Sequence, residues 1–241
     1  MEFFEFIDDR SFKIDLKDFR KRFSHELKYL NKYFELNNKM LIERSKELDA
    51  YLKDDIYKHP EQEGAFRDFY QIDYIKIPCY FYNSAIVSLY SLLENNINSL
   101  CEIIQVRTNF VIELRDLAGF NIIDKGRRFL IKIANIDFEK NDKEWIRIKD
   151  FQKLRNLIVH NNAQMKNREQ YHNLIAKFEG INTYSTAKDF YITDISLVYK
   201  FLELIEKFIV NISDQIEDRK FKKFKVALEL KKKDADNKLP F

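Results

Sequence analysis

Phe81-Tyr82-Asn83-Ser84-Ala85-Ile86-Val87-Ser88-Leu89-Tyr90-Ser91-Leu92-Leu93-Glu94 is the stretch that decides the fold class. Ile86, Leu89 and Leu93 fall at three- and four-residue steps, and Ile97, Leu100 and Ile104 carry the same stripe onward. That spacing lines one face of an α-helix and fits no strand. Pro78 sits near its start, where a missing N–H costs nothing. A helix is therefore predicted over residues 78–107.

The same period recurs on both sides. Phe19, Phe23, Leu27, Leu30, Phe34, Met40 and Leu41 predict a long helix over 16–53, preceded by an irregular arm, 1–14, packing through Phe3, Phe4, Phe6 and Phe12. The polar stretch 54–73, with Pro60 and Gly64, reads as a connection. Shorter helices are expected over 110–117 and 122–134, the second capped by Asp124. Asp142 is a suitable N-cap for a helix over 143–162, whose apolar side is Trp145, Ile148, Phe151, Leu154 and Ile158. A short helix over 166–178 follows. Two β-prone runs, 181–184 and 190–193, suggest a small hairpin before a last helix over 194–230. The whole reads as all-α: an up-and-down bundle of four to five long helices with a small β-hairpin before the last.

Composition agrees. The 241 residues are 45% hydrophobic and 34% charged, enough for a full core and typical of long amphipathic helices. Only 4 Gly and 3 Pro occur, too few for an all-β fold or a glycine-rich nucleotide loop. Cys79 and Cys101 lie in apolar helical pattern without a CxxC pair, which predicts buried reduced thiols and no zinc. No metal and no cofactor are expected. The N-terminus lacks the features of a secretory signal, and the most apolar runs are broken by Lys76, Asn83, Glu203, Glu206 and Lys207. No membrane association and a cytoplasmic location follow by default.

Chemistry concentrates in Leu154-Arg155-Asn156-Leu157-Ile158-Val159-His160-Asn161-Asn162. At about 100° per residue, Asn156 and His160 share a helix face one turn apart. Arg155 lies roughly 140° round from His160, with a side chain long enough to sweep toward that face. Val159 and Trp145 project between, which suggests a buried or interfacial setting for the polar trio. Histidine can deprotonate a 2′-hydroxyl or protonate a 5′-oxygen near neutral pH. Arginine stabilises charge on the phosphorane oxygens. An amide such as Asn156 can orient the imidazole or bind a phosphate oxygen. The bland alternatives are a helix-terminal His160 complementing the dipole and an Arg155 snorkelling over the core edge.

The Arg155-Asn156-(three residues)-His160 pattern near a helix C-terminus resembles the motif of the HEPN superfamily (higher eukaryotes and prokaryotes nucleotide-binding). The helix 81–94 resembles that family's earlier core helix, with its small-x-x-x-Tyr-x-x-x-Glu texture. The likeness spans roughly residues 75–212, and only the Arg-Asn-x-x-x-His core is specific. The resemblance implies a helical bundle, a metal-independent endoribonuclease acting by 2′-hydroxyl attack, and catalytic roles for Arg155, Asn156 and His160. It also implies a homodimer with the active site at the interface, in a toxin–antitoxin or anti-phage defence setting with a possible antitoxin partner. Glu94 would support Arg155 or His160 from behind, or is simply a solvated or salt-bridged helix residue. Where toxins of this family paired with nucleotidyltransferases carry a modifiable Tyr, two residues after the His, this chain has Asn162; Tyr171 lies downstream.

The organisation expected is an N-terminal arm, helix and connection (1–74), a HEPN-like bundle (75–230) and a basic tail (231–241), packed as one globular unit. The run Arg219-Lys220-Phe221-Lys222-Lys223-Phe224-Lys225 is basic with aromatics interleaved. Lys220, Lys222, Lys223 and Lys225 are therefore candidate RNA-binding residues, or a solubilising helix end. The rival reading of the whole chain is a non-catalytic helical adaptor that binds a protein or RNA.

Overall fold

The computed structural model describes residues 9–108, 113–119, 121–138, 142–161, 163, 168–183 and 189–218. In chain order the elements are α1 (Asp9–Lys58), a 3-10 turn (Pro60–Gln62), α2 (Glu63–Gln71), a π-helical turn (Ile72–Lys76) and α3 (Ile77–Thr108). A second 3-10 turn (Leu114–Asp116), α4 (Ile122–Lys132), α5 (Asp142–Asn161) and α6 (Arg168–Ile175) follow. The hairpin β1 (Ile181–Thr183) and β2 (Phe190–Ile192) precedes α7 (Ser196–Asp218). The fold is all-α with one small antiparallel hairpin, in which Ile181 pairs with Ile192 and Thr183 with Phe190. No helix among the described residues is long and apolar enough to cross a membrane.

The α3 stripe is buried throughout, from Ile86 to Ile104. Four expectations need correction. Helix α1 starts at Asp9, so residues 9–14 are helical and Phe12 is one of its buried positions, while Phe3, Phe4 and Phe6 lie outside the described residues. The polar stretch 54–73 is mostly helical: ion pairs Lys58–Asp54 (2.6 Å) and Arg67–Glu63 (2.6 Å) join successive turns, and Pro60 occupies a first turn where it costs no hydrogen bond. The cap of α4 is Asn121, whose side chain accepts from the Asp124 backbone N–H at 2.9 Å; Asp124 is the residue capped. A helix over 110–117 reduces to the 3-10 turn within the described residues.

The chain divides into two compact units, each discontinuous in sequence: Met1–Phe23 with Glu94–Lys140 and Ile209–Phe241, and Ser24–Leu93 with Asn141–Phe208. In the first, Phe12, Leu16, Phe19 and Phe23 of α1 join Ile97, Leu100 and Ile104 of α3, Phe129 of α4, and Ile209, Ile212 and Ile216 of α7 in the core. Arg20 donates to Ser213 Oγ (3.2 Å) and Asp214 (2.8 Å) and pairs with Glu217. Gly126 of α4 is needed for close approach, because a Cβ there would fall 2.2 Å from Ile97 Cγ2.

The second unit holds the motif. Asn38–Tyr82, Asp49–Tyr74 and Asp55–Tyr70 hydrogen bonds run in opposite order along the two chain segments, so this part of α1 lies antiparallel to α2 and the start of α3. Likewise Glu144–Lys207 (2.6 Å), Trp145–Phe208 and Phe151–Phe201 set α5 antiparallel to α7. The Lys207 ammonium, bonded to Glu144, holds that carboxyl below the usual carboxylate range.

Both cysteines are free and buried, and burial pushes both thiols up. Because the thiolate is the reactive form, Cys101 in the folded chain is expected to resist iodoacetamide at neutral pH and to label only after unfolding. Mass spectrometry before and after guanidinium treatment checks this, and rapid native labelling of Cys101 would contradict the packing described.

Candidate active site on α5

Helix α5 is oriented by its inner side. Ile148, Phe151, Leu154 and Leu157 are buried, and Phe151 stacks on Phe201 (centroids 4.0 Å apart, 8° between planes) and meets Phe178 edge-on at 4.9 Å. Burying these four side chains turns Asn156 and His160 outward, and both are exposed. Asp142 and Glu144 lie in the first turn and His160 in the last, an arrangement matched to the helix dipole.

Arg155 stands between core and solvent. Its guanidinium carbon lies 5.5 Å from the centroid of the Tyr90 ring, within cation–π range. Nη1 donates to Asn156 Oδ1 at 3.2 Å, and Nε is buried without an acceptor among the described residues. Tyr90 is itself fixed: it is 2% exposed, and its hydroxyl accepts from Gln152 Nε2 at 2.6 Å. Tyr90 on α3 and Gln152 on α5 thus set the plane on which the guanidinium rests.

Past α5 the chain reverses sharply. Ala163 takes a left-handed backbone (φ 58), its N–H donates to the Leu157 carbonyl at 3.1 Å, and its carbonyl accepts from Phe190 N at 3.2 Å. The end of the helix is thereby bonded to β2.

Arg155 and Asn156 are in contact, and His160 follows Asn156 by one turn. Within the single chain this trio is not buried among apolar side chains, which leaves the interfacial setting as the one its surroundings allow. Val159 is 45% exposed, and Trp145 is three turns away, packed on Phe208. The reason is that hydrophobic character alone does not say which face of a helix finds a partner. Glu94 is half-buried on α3 and belongs to the first unit, whereas Arg155 and His160 belong to the second. Asn162, Lys220, Lys222, Lys223 and Lys225 lie outside the described residues, as does the Tyr171 side chain. No cluster of three metal-binding side chains occurs among the described residues.

An exposed imidazole, an outward amide and a guanidinium held at one edge form a set able to bind an anion and move a proton. No family model, curated protein or solved structure matches the chain. Tyr90 and Gln152 were not identified as Arg155's support from sequence. Tyr90's signal was its place in the 81–94 texture, while nothing marked Gln152.

Proposed function

We propose that the chain is a metal-independent endoribonuclease of HEPN type. The observation that carries the reading is the guanidinium of Arg155, seated on Tyr90 and bonded to Asn156, one turn from an exposed His160. In the reaction, the 2′-hydroxyl oxygen attacks the adjacent phosphorus as a base takes its proton. The bond to the 5′-oxygen breaks, and that oxygen accepts a proton from an acid. The products are a 2′,3′-cyclic phosphate and a 5′-hydroxyl. His160 serves as base or acid, Arg155 stabilises the phosphorane oxygens, and Asn156 keeps the guanidinium oriented. Since the motif offers one imidazole per chain, a homodimer would place a second His160 in the same cleft and supply both proton-transfer groups. A toxin or phage-defence setting follows from the resemblance alone.

The test is incubation of mixed cellular RNA with the wild-type chain in EDTA. Fragments whose 5′ ends are phosphorylated by a kinase without prior phosphatase treatment are expected. Intact RNA, or fragments with 5′-phosphates, would overturn the proposal.

A second reading, a helical adaptor, draws on one specific feature. Tyr29, Tyr33, Leu36 and Met40 form an exposed apolar stripe along α1, with Met40 67% exposed although its spacing suggested a core position. A stripe of this kind suits a protein partner. Growth arrest on expression that disappears with His160→Ala would favour the nuclease, and its absence the adaptor.

A further inference from the structure

A pocket of about 180 Å³ opens beside the end of α5. Its wall includes Ala163, three residues beyond His160, together with Lys76 from the π-helical turn, Tyr80 and Asn83 from the start of α3, and Asp189, Phe190 and Tyr191 from the second side of the hairpin. All of these belong to the second unit. The volume is well under the roughly 300 Å³ at which drug-sized sites begin, so it suits a single flat heterocycle.

The chemistry of the wall narrows the choice. Among the described residues, Asn83 Oδ1 is buried with no donor, and its Nδ2 has only the Cys79 sulfur, at 3.5 Å. A buried amide left in that state is costly, and a ligand that supplies a donor relieves the cost. Asp189, half-buried, adds a second acceptor to the same pocket. The two acceptors call for a ligand with several N–H groups on one edge. Tyr80, 65% exposed at the rim, and half-buried Tyr191 offer faces for stacking. Lys76 provides an exposed cation suited to a carbonyl oxygen or a phosphate.

We infer that this pocket binds one guanine base through Asn83 and Asp189. Guanine carries three N–H bonds on its Watson–Crick edge beside a carbonyl acceptor, O6. Adenine and cytosine offer one amino group each, and uracil a single N–H, so none matches two acceptors and a cation as fully. The base can come from a free mononucleotide or from single-stranded RNA. The ribonuclease proposal bears only on the second source, where the pocket would select a guanine close to the cleaved bond; the pocket's own chemistry stands without it.

Binding is measured without cleavage. Equilibrium dialysis of GMP, AMP, CMP and UMP against the full chain is paired with filter binding of a uridine decamer bearing one central G or one central A, using the His160→Ala chain in EDTA. A guanine preference of about tenfold or more is expected, and it should fall to near unity in both Asn83→Leu and Asp189→Asn. Preference with GMP alone identifies the free nucleotide as the source; preference with the decamer identifies RNA. Equal binding of all bases, binding of none, or a preference that survives both substitutions in chains with unchanged melting curves would overturn the inference. A chain that prefers guanine yet cleaves no RNA would retain the pocket and refute the nuclease.

Discussion

Replacing His160 with alanine is expected to lower RNA cleavage by about 10²–10⁴-fold, the usual contribution of a positioned proton-transfer group. The melting temperature should stay the same, because the imidazole is exposed and lies on the side of α5 opposite its buried residues. Arg155→Ala should lower cleavage to a similar degree, about 10²–10³-fold, by the magnitude of lost transition-state donors. It should also destabilise the fold modestly, because the guanidinium packs on the Tyr90 ring. Arg155→Lys is the sharper variant. Lysine keeps the charge but lacks the planar fork that bonds Asn156 and rests on an aromatic face, so it should recover little activity. Initial rates on a defined RNA, read beside thermal melts, check all three. Full activity in His160→Ala would remove the motif from the mechanism.

Phe151→Ala should damage the second unit severely, costing about 3–5 kcal/mol as a buried aromatic replaced by a cavity. Phe151 is 1% exposed, stacks on Phe201, meets Phe178, and lies under the Arg147 guanidinium at 5.3 Å. These partners come from α7, the turn after α6, and α5 itself, so their loss loosens the helix that carries Arg155 and His160. A fall in melting temperature of roughly 10 °C is expected for a chain of this size, together with reduced activity. Phe151→Leu should recover much of the stability. A melt unchanged in Phe151→Ala would show that α5 is held by other contacts.

The helices were legible in sequence where the apolar period is regular. Ile86 to Ile104 predicted α3 within a residue of each end, because one stripe faces one core. Residues 54–73 were not legible as helix, because their helix rests on charge pairs and on Tyr70 and Tyr74 bonding back to Asp55 and Asp49, contacts between residues distant in sequence. The site divides the same way. The order of Arg155, Asn156 and His160 on one helix could be read from spacing alone. The support beneath Arg155 could not, since Tyr90 and Gln152 lie 62 residues apart in the chain. The pocket at Asn83 and Asp189 was equally hidden, as it exists only once the hairpin closes over the start of α3.

The ties of Arg20 to Ser213, Asp214 and Glu217 set a schedule for synthesis. These partners are 193 to 197 residues apart, and the first unit draws on the start of α1 and the end of α7. At about 5–20 residues per second, α1 leaves the ribosome on the order of 10–40 s before α7 is made. During that interval Phe12, Leu16, Phe19 and Phe23 have no α7 to pack against. The nascent chain should therefore depend on chaperones until α7 has been made.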